Sequence, residues 1–412
     1  MPDLMKYVLL LPDGAADAPL DALDGKTPIE AAETPTFDRL ATDGRQGTVA
    51  TTPPGMPCGS DICTMSLLGY DPARYHTGRA PLEAAALGLD LDDLTTVFRA
   101  NWVTVADGKM IDHSAGAISS QESAALLDAV RREIAPPGMA LHLGVSYRNI
   151  LQDIAHLTPG QPPRDYAELD TTAPHDILGQ PIKKHRPVGS PHADLLNRLI
   201  DDAAALLADH EINAARRELG EPEATHLWPW GQGRRPSLPA FADKYGLRGG
   251  MITAVDLLAG IARLIGFARI DAPGQTSYHD TDYAAAGRSA IAALDDFDFV
   301  VVHVESPDEA AHAGDPKTKV AAIEAIDQHV AAPLLAALEQ RDEPFRVMAM
   351  PDHYTRCDTR MHDPTPPPFL IYGHRVRGVL HRPFTEANAN ESDLRVDHGH
   401  ELMEYFLRAG LA

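Results

Sequence analysis

Cysteine is scarce in this 412-residue sequence, which contains only three, Cys58, Cys63 and Cys357. Their odd number and their spacing match neither a disulfide framework nor a cysteine-rich metal site. We therefore expect reduced thiols, which are typical of a protein of the cytoplasm.

Basic residues are also few, since 36 Lys and Arg stand against 59 Asp and Glu, for a formal net charge of −23. A nucleic-acid-binding protein needs a basic surface that neutralises phosphates. Because of this negative net charge, we do not expect a nucleic-acid partner.

Long apolar runs are missing as well. The N-terminal segment MPDLMKYVLLLPDG contains only a short one, without the features of a signal peptide. No stretch approaches the length of a membrane span, so we expect no membrane partner. The sequence also lacks a phosphate-binding Walker loop and a dinucleotide-binding fingerprint.

The chain is longer than one compact core usually holds, which predicts two domains. Apolar β-prone segments alternate with helical patterns in both terminal parts, whereas residues 95–222 are rich in loops. We predict a core domain formed by residues 1–94 and 223–412, and an inserted, smaller α+β domain at residues 95–222. The oligomeric state is not defined by the sequence.

The alternating pattern predicts an α/β fold with a mainly parallel sheet between two layers of helices. The predicted strands are residues 6–11, 48–51, 297–305, 345–350 and 369–372. The predicted helices include residues 35–40, 61–68, 193–207, 251–265 and 402–407.

Acidic and histidine residues follow the predicted strands of the core domain. In a parallel sheet, residues just past the carboxyl ends of the strands meet at one edge, where ligands bind. We therefore expect a common site for six of these residues, Asp13, Asp308, His312, Asp352, His353 and His362.

The composition of this group predicts a metal site. Asp308 and His312 are four residues apart and would share one face of a helix. Mixed carboxylate and imidazole ligands suit Mn²⁺ or Zn²⁺ better than Ca²⁺. The ligands are too many for one tetrahedral ion, so two ions are expected. Taken singly, each residue has an alternative interpretation as a helix cap, a turn residue or a surface pair.

Ser60, in the motif Pro-Cys-Gly-Ser-Asp, immediately precedes a predicted helix. One hypothesis is that it is the N-cap of that helix. The other is that it is a nucleophile, because a helix N-terminus and an adjacent metal ion both favour the ionised hydroxyl.

Three further residues are weaker candidates for binding an anionic substrate. Arg79 could do so or could pair with Glu83, whereas Arg148 and His175 in the inserted domain could equally be surface residues. His303 lies within a predicted strand, and we expect a core histidine whose ring is hydrogen-bonded.

Seven motifs are distributed over nearly the whole chain: LLPDGAAD, GKTPIEAAETPTFDRLA, GSDICTMSLLGYDP, YHTGRAPLEA, HVESPDEAAHAGD, MPDHYTR and MHDPTPPPF. Together they resemble the cofactor-independent phosphoglycerate mutases of the archaeal type and their bacterial relatives. The resemblance implies the fold of the alkaline phosphatase superfamily.

The resemblance implies two divalent metal ions, commonly Mn²⁺, with Zn²⁺ or Mg²⁺ as alternatives. It implies that Ser60 carries the phosphoryl group of a small phosphorylated metabolite, 3-phosphoglycerate, before the group returns to the 2-hydroxyl. One ion would be held by Asp308, His312 and His362, and the other by Asp13, Ser60, Asp352 and His353.

One motif departs from the family. The archaeal mutases carry an arginine-rich stretch close to DRRAGR, where this chain has DHSAGA, from Asp112 to Ala117. The departure concerns the substrate and not the chemistry, and it leaves open a homoserine kinase-like phosphotransferase or a phosphatase on the same metal site. A non-catalytic binding protein on the same fold is a third hypothesis, which the intact ligand positions disfavour.

Overall fold

The structure, a computed structural model, describes residues 5–409. It divides into two compact units. The larger unit comprises the residues up to His76 and those from Ser237 onward, and the smaller unit is Thr77–Pro236. The inserted segment predicted at residues 95–222 lies inside the smaller unit.

The described residues form fifteen strands and sixteen α-helices. The strands are β1 Lys6–Pro12, β2 Arg45–Val49, β3 Thr96–Ala106, β4 Lys109–Asp112, β5 Met139–Leu143, β6 Arg148–Asp153, β7 His226–Arg234, β8 Gly249–Ile252, β9 Ala268–Arg269, β10 Phe299–Val304, β11 Phe345–Ala349, β12 Tyr354–Arg356, β13 Met361–Asp363, β14 Pro368–Gly373 and β15 Arg395–Val396.

The helices are α1 Pro28–Ala31, α2 Pro35–Asp43, α3 Ser60–Leu67, α4 Pro72–Tyr75, α5 Arg79–Ala86, α6 Ser120–Glu133, α7 Ala193–Ala208, α8 Glu211–Leu219, α9 Phe241–Tyr245, α10 Asp256–Leu264, α11 Tyr283–Ala293, α12 Ser306–Ala313, α13 Pro316–Ile326, α14 Ala332–Gln340, α15 Glu386–Asn390 and α16 Gly399–Arg408. A π-helical turn, Asp327–Ala331, joins α13 to α14.

The larger unit is built on an eight-stranded sheet with the order β15-β2-β14-β11-β1-β10-β8-β9. Among these strands β14 alone runs against its neighbours, and the other pairs are parallel. At the centre, Val8 pairs with Val300 on one side and with Val347 on the other. The predicted α/β fold with a mainly parallel sheet is confirmed.

Helices cover both faces of this sheet. On one face Val8 and Leu10 lie in a buried cluster with apolar residues of α2, α11, α13 and α14. On the other face the ring of Tyr7 meets the ring of Phe406, from α16, with centroids 5.6 Å apart. Full burial of one Val, Leu or Phe side chain stabilises the fold by about 1.5–3 kcal/mol.

The helix predicted at residues 251–265 is wrong in its first part. Residues 249–252 form β8, which pairs with β10, and the helix begins only at Asp256. A buried parallel strand is a continuous apolar run, which periodicity does not separate from a buried helix. The first residue of β8, Gly249, leaves no room for a side chain, because a Cβ there would lie 2.0 Å from the ring of Phe267.

The helical segment Pro316–Gln340 is long and apolar enough to span a membrane by length and composition, unlike the sequence-based expectation. Its apolar residues are instead part of the core, since Ile323, Val330 and Leu338 are all buried in the main cluster. A core helix of this kind satisfies the same criteria as a membrane span.

The smaller unit contains a separate antiparallel sheet. Its strands follow the order β4-β3-β6-β5, and β7 pairs with β3. The Trp102 and Trp228 side chains are fully buried in it, and the indole N–H of each donates a hydrogen bond, to Ser123 and to the Thr172 carbonyl. The predicted helix at residues 193–207 is α7.

Candidate metal centre

Three neighbouring parallel strands end at the same edge of the large sheet. Asp13 directly follows β1, Asp308 lies in the first turn after β10, and Asp352 and His353 follow β11. The strand order places β1 between the other two. The carboxyl ends of these strands therefore bring sequence-distant acids and histidines together.

The first group of candidate ligands contains Asp308, His312 and His362. Asp308 and His312 lie one turn apart on α12, and Oδ2 of Asp308 is 3.2 Å from Nε2 of His312. Oδ1 of Asp308 is 3.5 Å from Nε2 of His362. The Nε2 atoms of the two histidines are 2.9 Å apart.

The opposite nitrogens of these two rings are held by backbone carbonyls. Nδ1 of His312 lies 2.9 Å from the carbonyl oxygen of Arg360, and Nδ1 of His362 lies 3.2 Å from that of Cys58. A carbonyl only accepts, so Nδ1 carries the proton and Nε2 presents its lone pair in the neutral ring. Two lone pairs that face each other at 2.9 Å suit a shared cation.

The second group contains Asp13, Asp352 and His353. Nε2 of His353 lies 3.5 Å from Oδ1 of Asp13 and 3.3 Å from Oδ2 of Asp352. Both carboxylate oxygens are buried without a hydrogen-bond partner among the described residues. A buried unpaired carboxylate oxygen is costly, and metal binding is one of the usual ways to satisfy it.

Two residues that contact these groups, Thr355 and Glu305, are not among those singled out from the sequence pattern. Thr355 donates to Oδ1 of Asp308 at 2.5 Å and lies 3.1 Å from Nδ1 of His353. Glu305 has a buried oxygen, Oε2, without a hydrogen-bond partner in the described structure. With Asp13 and His303 it forms a further set of three candidate ligand atoms that lie close together. The position of Glu305 at the end of β10 was the available signal.

His303 is a buried, hydrogen-bonded core histidine, as expected. Its Nδ1 lies 3.0 Å from the hydroxyl of Thr253. Its Nε2 lies 2.7 Å from Oδ2 of Asp13. His303 therefore also orients a carboxylate of the candidate metal centre.

Burial and mutual repulsion shift the pKa values of the acids in the centre. Burial raises the pKa of Asp13 to about 7, and the charge of Asp308 contributes. Burial, with the charge of Asp13, also raises the pKa values of Glu305 and Asp352 well above their ordinary range. A bound cation would relieve this repulsion.

Asp308 is the exception among the acids. Although burial opposes it, hydrogen bonds from His312 and His362 hold the pKa of Asp308 well below its ordinary value. The hydrogen bond with Asp308 raises the pKa of His312 to about 9. Burial opposes the same shift in His362, but the hydrogen bond with Asp308 and its charge still raise the pKa of this ring to about 9. Burial lowers the pKa of His353 to about 3, so this ring is neutral and able to act as a ligand.

Ser60 lies at the first position of α3, and Gly59 occupies the N-cap. No side chain caps this helix. The first amide groups of a helix carry partial positive charge, which favours a negatively charged oxygen at this position. The Ser60 hydroxyl lies 3.2 Å from Nε2 of His353.

A buried lysine fastens the two loops that carry the second group. Lys319, fully buried on α13, donates to the carbonyl oxygens of Ala16 and Thr355 at 3.1 and 2.6 Å. Its third hydrogen bond, at 3.0 Å, goes to the carboxylate of Asp17. The loop after β1 and the loop after β11 are thus tied to one cation.

The donor atoms fit a metal centre. Asp308, His353 and His362 bring three candidate ligand atoms within 4.8 Å of one another, and so do Asp13, Asp352 and His353. His353 therefore lies close to both groups. Imidazole nitrogens and buried carboxylates are the usual ligands of Mn²⁺ or Zn²⁺, and a bound cation would displace the proton from His362. The His and Asp clusters are therefore consistent with metal sites.

The smaller unit contains a cationic cluster of its own. The guanidinium of Arg99 lies 4.3 Å from the Trp230 ring and pairs with Glu83 at 3.1 Å. The ring of His175 lies 5.3 Å from that of Trp230. Burial lowers the pKa values of Arg99 and His175, and the charge of Arg79 lowers both further.

Arg148 and His113 belong to the same cluster. The charge of Arg148 contributes to the lowered pKa of Arg99. The ring of His113 lies 6.0 Å from that of His175, and its Nδ1 is buried without a partner among the described residues. The three weaker candidates of the sequence, Arg79, Arg148 and His175, thus lie in one neighbourhood.

Fold and site together define an α/β protein with a candidate His/Asp metal centre at the carboxyl edge of a mainly parallel sheet. The chain is 43% identical to a 2,3-bisphosphoglycerate-independent phosphoglycerate mutase of Methanothermobacter thermautotrophicus, over 98% of this chain and 97% of that one. It is also 43% identical to the 2,3-bisphosphoglycerate-independent phosphoglycerate mutase of Methanothrix thermoacetophila, over 98% of this chain and 100% of that one. The chain belongs to the family of 2,3-bisphosphoglycerate-independent phosphoglycerate mutases.

Further comparisons agree with this assignment. A family model described as 2,3-bisphosphoglycerate-independent phosphoglycerate mutase matches residues 41–213. The cofactor-independent phosphoglycerate mutase of Thermoplasma acidophilum superposes with a TM-score of 0.67 at 25% identity, covering 98% of this chain and 100% of that chain. A solved structure of a Pyrococcus horikoshii protein superposes with a TM-score of 0.81 at 28% identity, covering 98% of this chain and 97% of that chain. The predicted family and enzyme class are confirmed.

Proposed function

We propose that this chain interconverts 3-phosphoglycerate and 2-phosphoglycerate through a phosphoserine at Ser60, in a centre that holds two divalent cations. The observation that carries this proposal is the position of the Ser60 hydroxyl, at the N-terminus of α3 and 3.2 Å from Nε2 of His353. The names of the relatives supply the reaction.

The proposed ligands follow the two groups of the centre. Asp308, His312 and His362 would hold one cation, and Asp13, Ser60, Asp352 and His353 the other. Such cations, of which Mn²⁺ suits this donor set, supply charge stabilisation for the phosphoryl group and lower the pKa of the serine hydroxyl. Zn²⁺ and Mg²⁺ are the alternatives.

The protein's own groups then carry the steps. The Ser60 oxygen attacks phosphorus, the bond from phosphorus to the substrate oxygen breaks, and glycerate retains that oxygen, which takes up the proton that the serine hydroxyl gives up. The other hydroxyl of glycerate then attacks the phosphorus of phosphoserine, the bond from phosphorus to Ser60 breaks, and the proton of that hydroxyl passes to the Ser60 oxygen. Helix α3 presents its first amides to the transferred group, while His303 and Thr355 hold the acids in place.

We assign the recognition of the substrate anion to the cationic cluster of the smaller unit. Arg79, Arg148 and His175 are its proposed binding residues, and Arg99 shares their neighbourhood. His113 stands in the motif where the archaeal mutases have arginine, and its unpartnered Nδ1 is a hydrogen-bonding group for a substrate oxygen. The substrate is a small phosphorylated metabolite.

The proposed setting is the cytoplasm. The three cysteines are free thiols, which suits a reducing compartment. The net charge of −23 disfavours nucleic acid as a partner.

One assay tests the proposal. Purified protein is incubated with 3-phosphoglycerate and Mn²⁺, without ATP and without 2,3-bisphosphoglycerate. The expected product is 2-phosphoglycerate with little free phosphate. Free phosphate as the main product would identify a phosphatase, and turnover only with ATP and homoserine would identify a kinase.

A further inference from the structure

A cavity of about 590 Å³ lies in the larger unit at the amino edge of the sheet, away from the metal centre. Arg346, on its wall, precedes Asp352 by six residues, a distance of about 20 Å along an extended strand. The lining residues are Arg45, Arg346, Ile371, Arg375, Val376, Arg377, Val379, Tyr405 and Ala409.

The sheet register builds the base of this cavity. Arg45 of β2 pairs with Ile371 of β14, and Arg346 of β11 pairs with Gly373 of the same strand. The loop after β14 then contributes Arg375 and its neighbours to the wall. Three adjacent strands therefore place arginines from distant parts of the chain around one space.

Among residues 5–409, the acid that pairs with an arginine of this cavity is Asp393. Arg346 donates to the carbonyl oxygens of His374, Phe406 and Ala409, none of which carries a charge. Arg45 pairs with the exposed carboxylate of Asp393 at 2.6 Å, yet its Nη1 is buried with no hydrogen-bond partner in the described structure.

Arg375 and Arg377 are exposed and form no ion pair with any residue that the structure describes. No carboxylate of the residues described here, 5–409, lines the cavity. In a chain with a net charge of −23, four arginines around one space are an unusual concentration of positive charge. Guanidinium groups bind phosphate through paired N–H donors, so this end of the cavity suits a phosphorylated ligand.

The remaining wall is apolar. Ile371 is buried, and Val376, Val379 and the ring of Tyr405 complete this side. A volume of about 590 Å³ falls in the range of sites for small organic ligands. An aromatic ring beside aliphatic side chains suits a planar base, which stacks on such surfaces.

We propose that this cavity, the arginine pocket, binds a nucleoside phosphate, with its phosphates on Arg45, Arg375 and Arg377 and its base against Tyr405. The site is separate from the phosphoryl-transfer centre and does not depend on the proposed reaction.

Calorimetric titration of the full chain with ATP, in chelator and with excess 3-phosphoglycerate, tests the proposal. The chelator keeps the metal centre from contributing to binding. We expect saturable binding with one ATP per chain, at least tenfold tighter than the binding of inorganic triphosphate. Equal affinity for the two would mean that the apolar wall contributes nothing, and would overturn the nucleoside assignment.

Variants then locate the site. Arg375→Ala with Arg377→Ala should weaken ATP binding at least tenfold, and the exposure of both residues lets this variant fold. Arg269→Ala, a matched change at an exposed arginine of β9, should leave binding within twofold. Undiminished binding by the double variant, or no binding at millimolar ATP by the unaltered chain, would refute the proposal.

Discussion

The Ser60 hydroxyl lies 3.2 Å from Nε2 of His353, although the two residues are 293 positions apart. Ser60→Ala should abolish phosphoglycerate mutase activity, with a loss of at least roughly 1,000-fold, because the covalent intermediate no longer forms. The fold should remain, since Gly59 and not Ser60 occupies the cap of α3. Activity and thermal unfolding of the same preparation measure both outcomes.

Ser66 is a matched control on the same helix. It is buried, and its hydroxyl has no hydrogen-bond partner among the described residues. Ser66→Ala should therefore leave activity within about twofold and stability nearly unchanged. Equal activity of the Ser60 and Ser66 variants would exclude Ser60 as the nucleophile.

In the metal-free protein, the free energy of unfolding should fall as the pH rises from 7 to 9. The pKa of Asp13 is raised to about 7 and those of His312 and His362 to about 9, above their unfolded values. The metal-free folded state therefore binds more protons than the unfolded chain in this pH range. The loss of these protons as the pH rises destabilises the folded state. The lowered pKa values of His303 and His353 act only below about pH 6.5.

Thermal unfolding in chelator and in Mn²⁺ measures this effect. The increase in Tm caused by Mn²⁺ should be larger at pH 9 than at pH 7, because the cation replaces the lost protons. An increase that does not change with pH would contradict the assignment of these acids and histidines to the metal centre.

The buried pair of Lys319 and Asp17 should position the metal ligands as well as stabilise the fold. Lys319→Met leaves the Asp17 carboxylate buried without its cation, which should cost about 3–5 kcal/mol of unfolding free energy. Because Lys319 also holds the Thr355 carbonyl, Mn²⁺ affinity should fall too.

A second substitution separates the two effects. Adding Asp17→Asn removes the unpaired charge and should restore much of the stability. Mn²⁺ affinity should stay low in the double variant, because the loops remain unfastened. Recovery of both quantities together would show that Lys319 has only a structural role.

Much of the centre could be predicted from sequence because its residues directly follow strands. Asp13, Asp308 and Asp352 each come after an apolar run, and the topology of a parallel sheet brings such positions to one edge. The structure brings Ser60 and the three histidines His312, His353 and His362 to the same place.

Other features depended on contacts that a sequence pattern does not contain. Thr355 is one residue of a short strand, and its role arises only from its distances to Asp308 and His353. Lys319 looks like an exposed helical lysine until the packing of α13 buries it. The strand at Gly249–Ile252 was hidden because its buried run matches a helix equally well.

Substrate recognition should depend on Arg148 of the smaller unit. Loss of a charge-assisted hydrogen bond to a substrate anion costs about 1.5–3 kcal/mol, so Arg148→Ala should lower kcat/KM by roughly tenfold to a hundredfold. Arg132→Ala, a change at an exposed arginine of α6, should alter kcat/KM little.

If Arg148 retains glycerate after the first transfer, Arg148→Ala should also lose glycerate more often before the second transfer. Water would then release the phosphoryl group from Ser60. The ratio of free phosphate to 2-phosphoglycerate should therefore rise in Arg148→Ala and stay unchanged in Arg132→Ala, whereas equal ratios in both variants would assign glycerate retention to other residues.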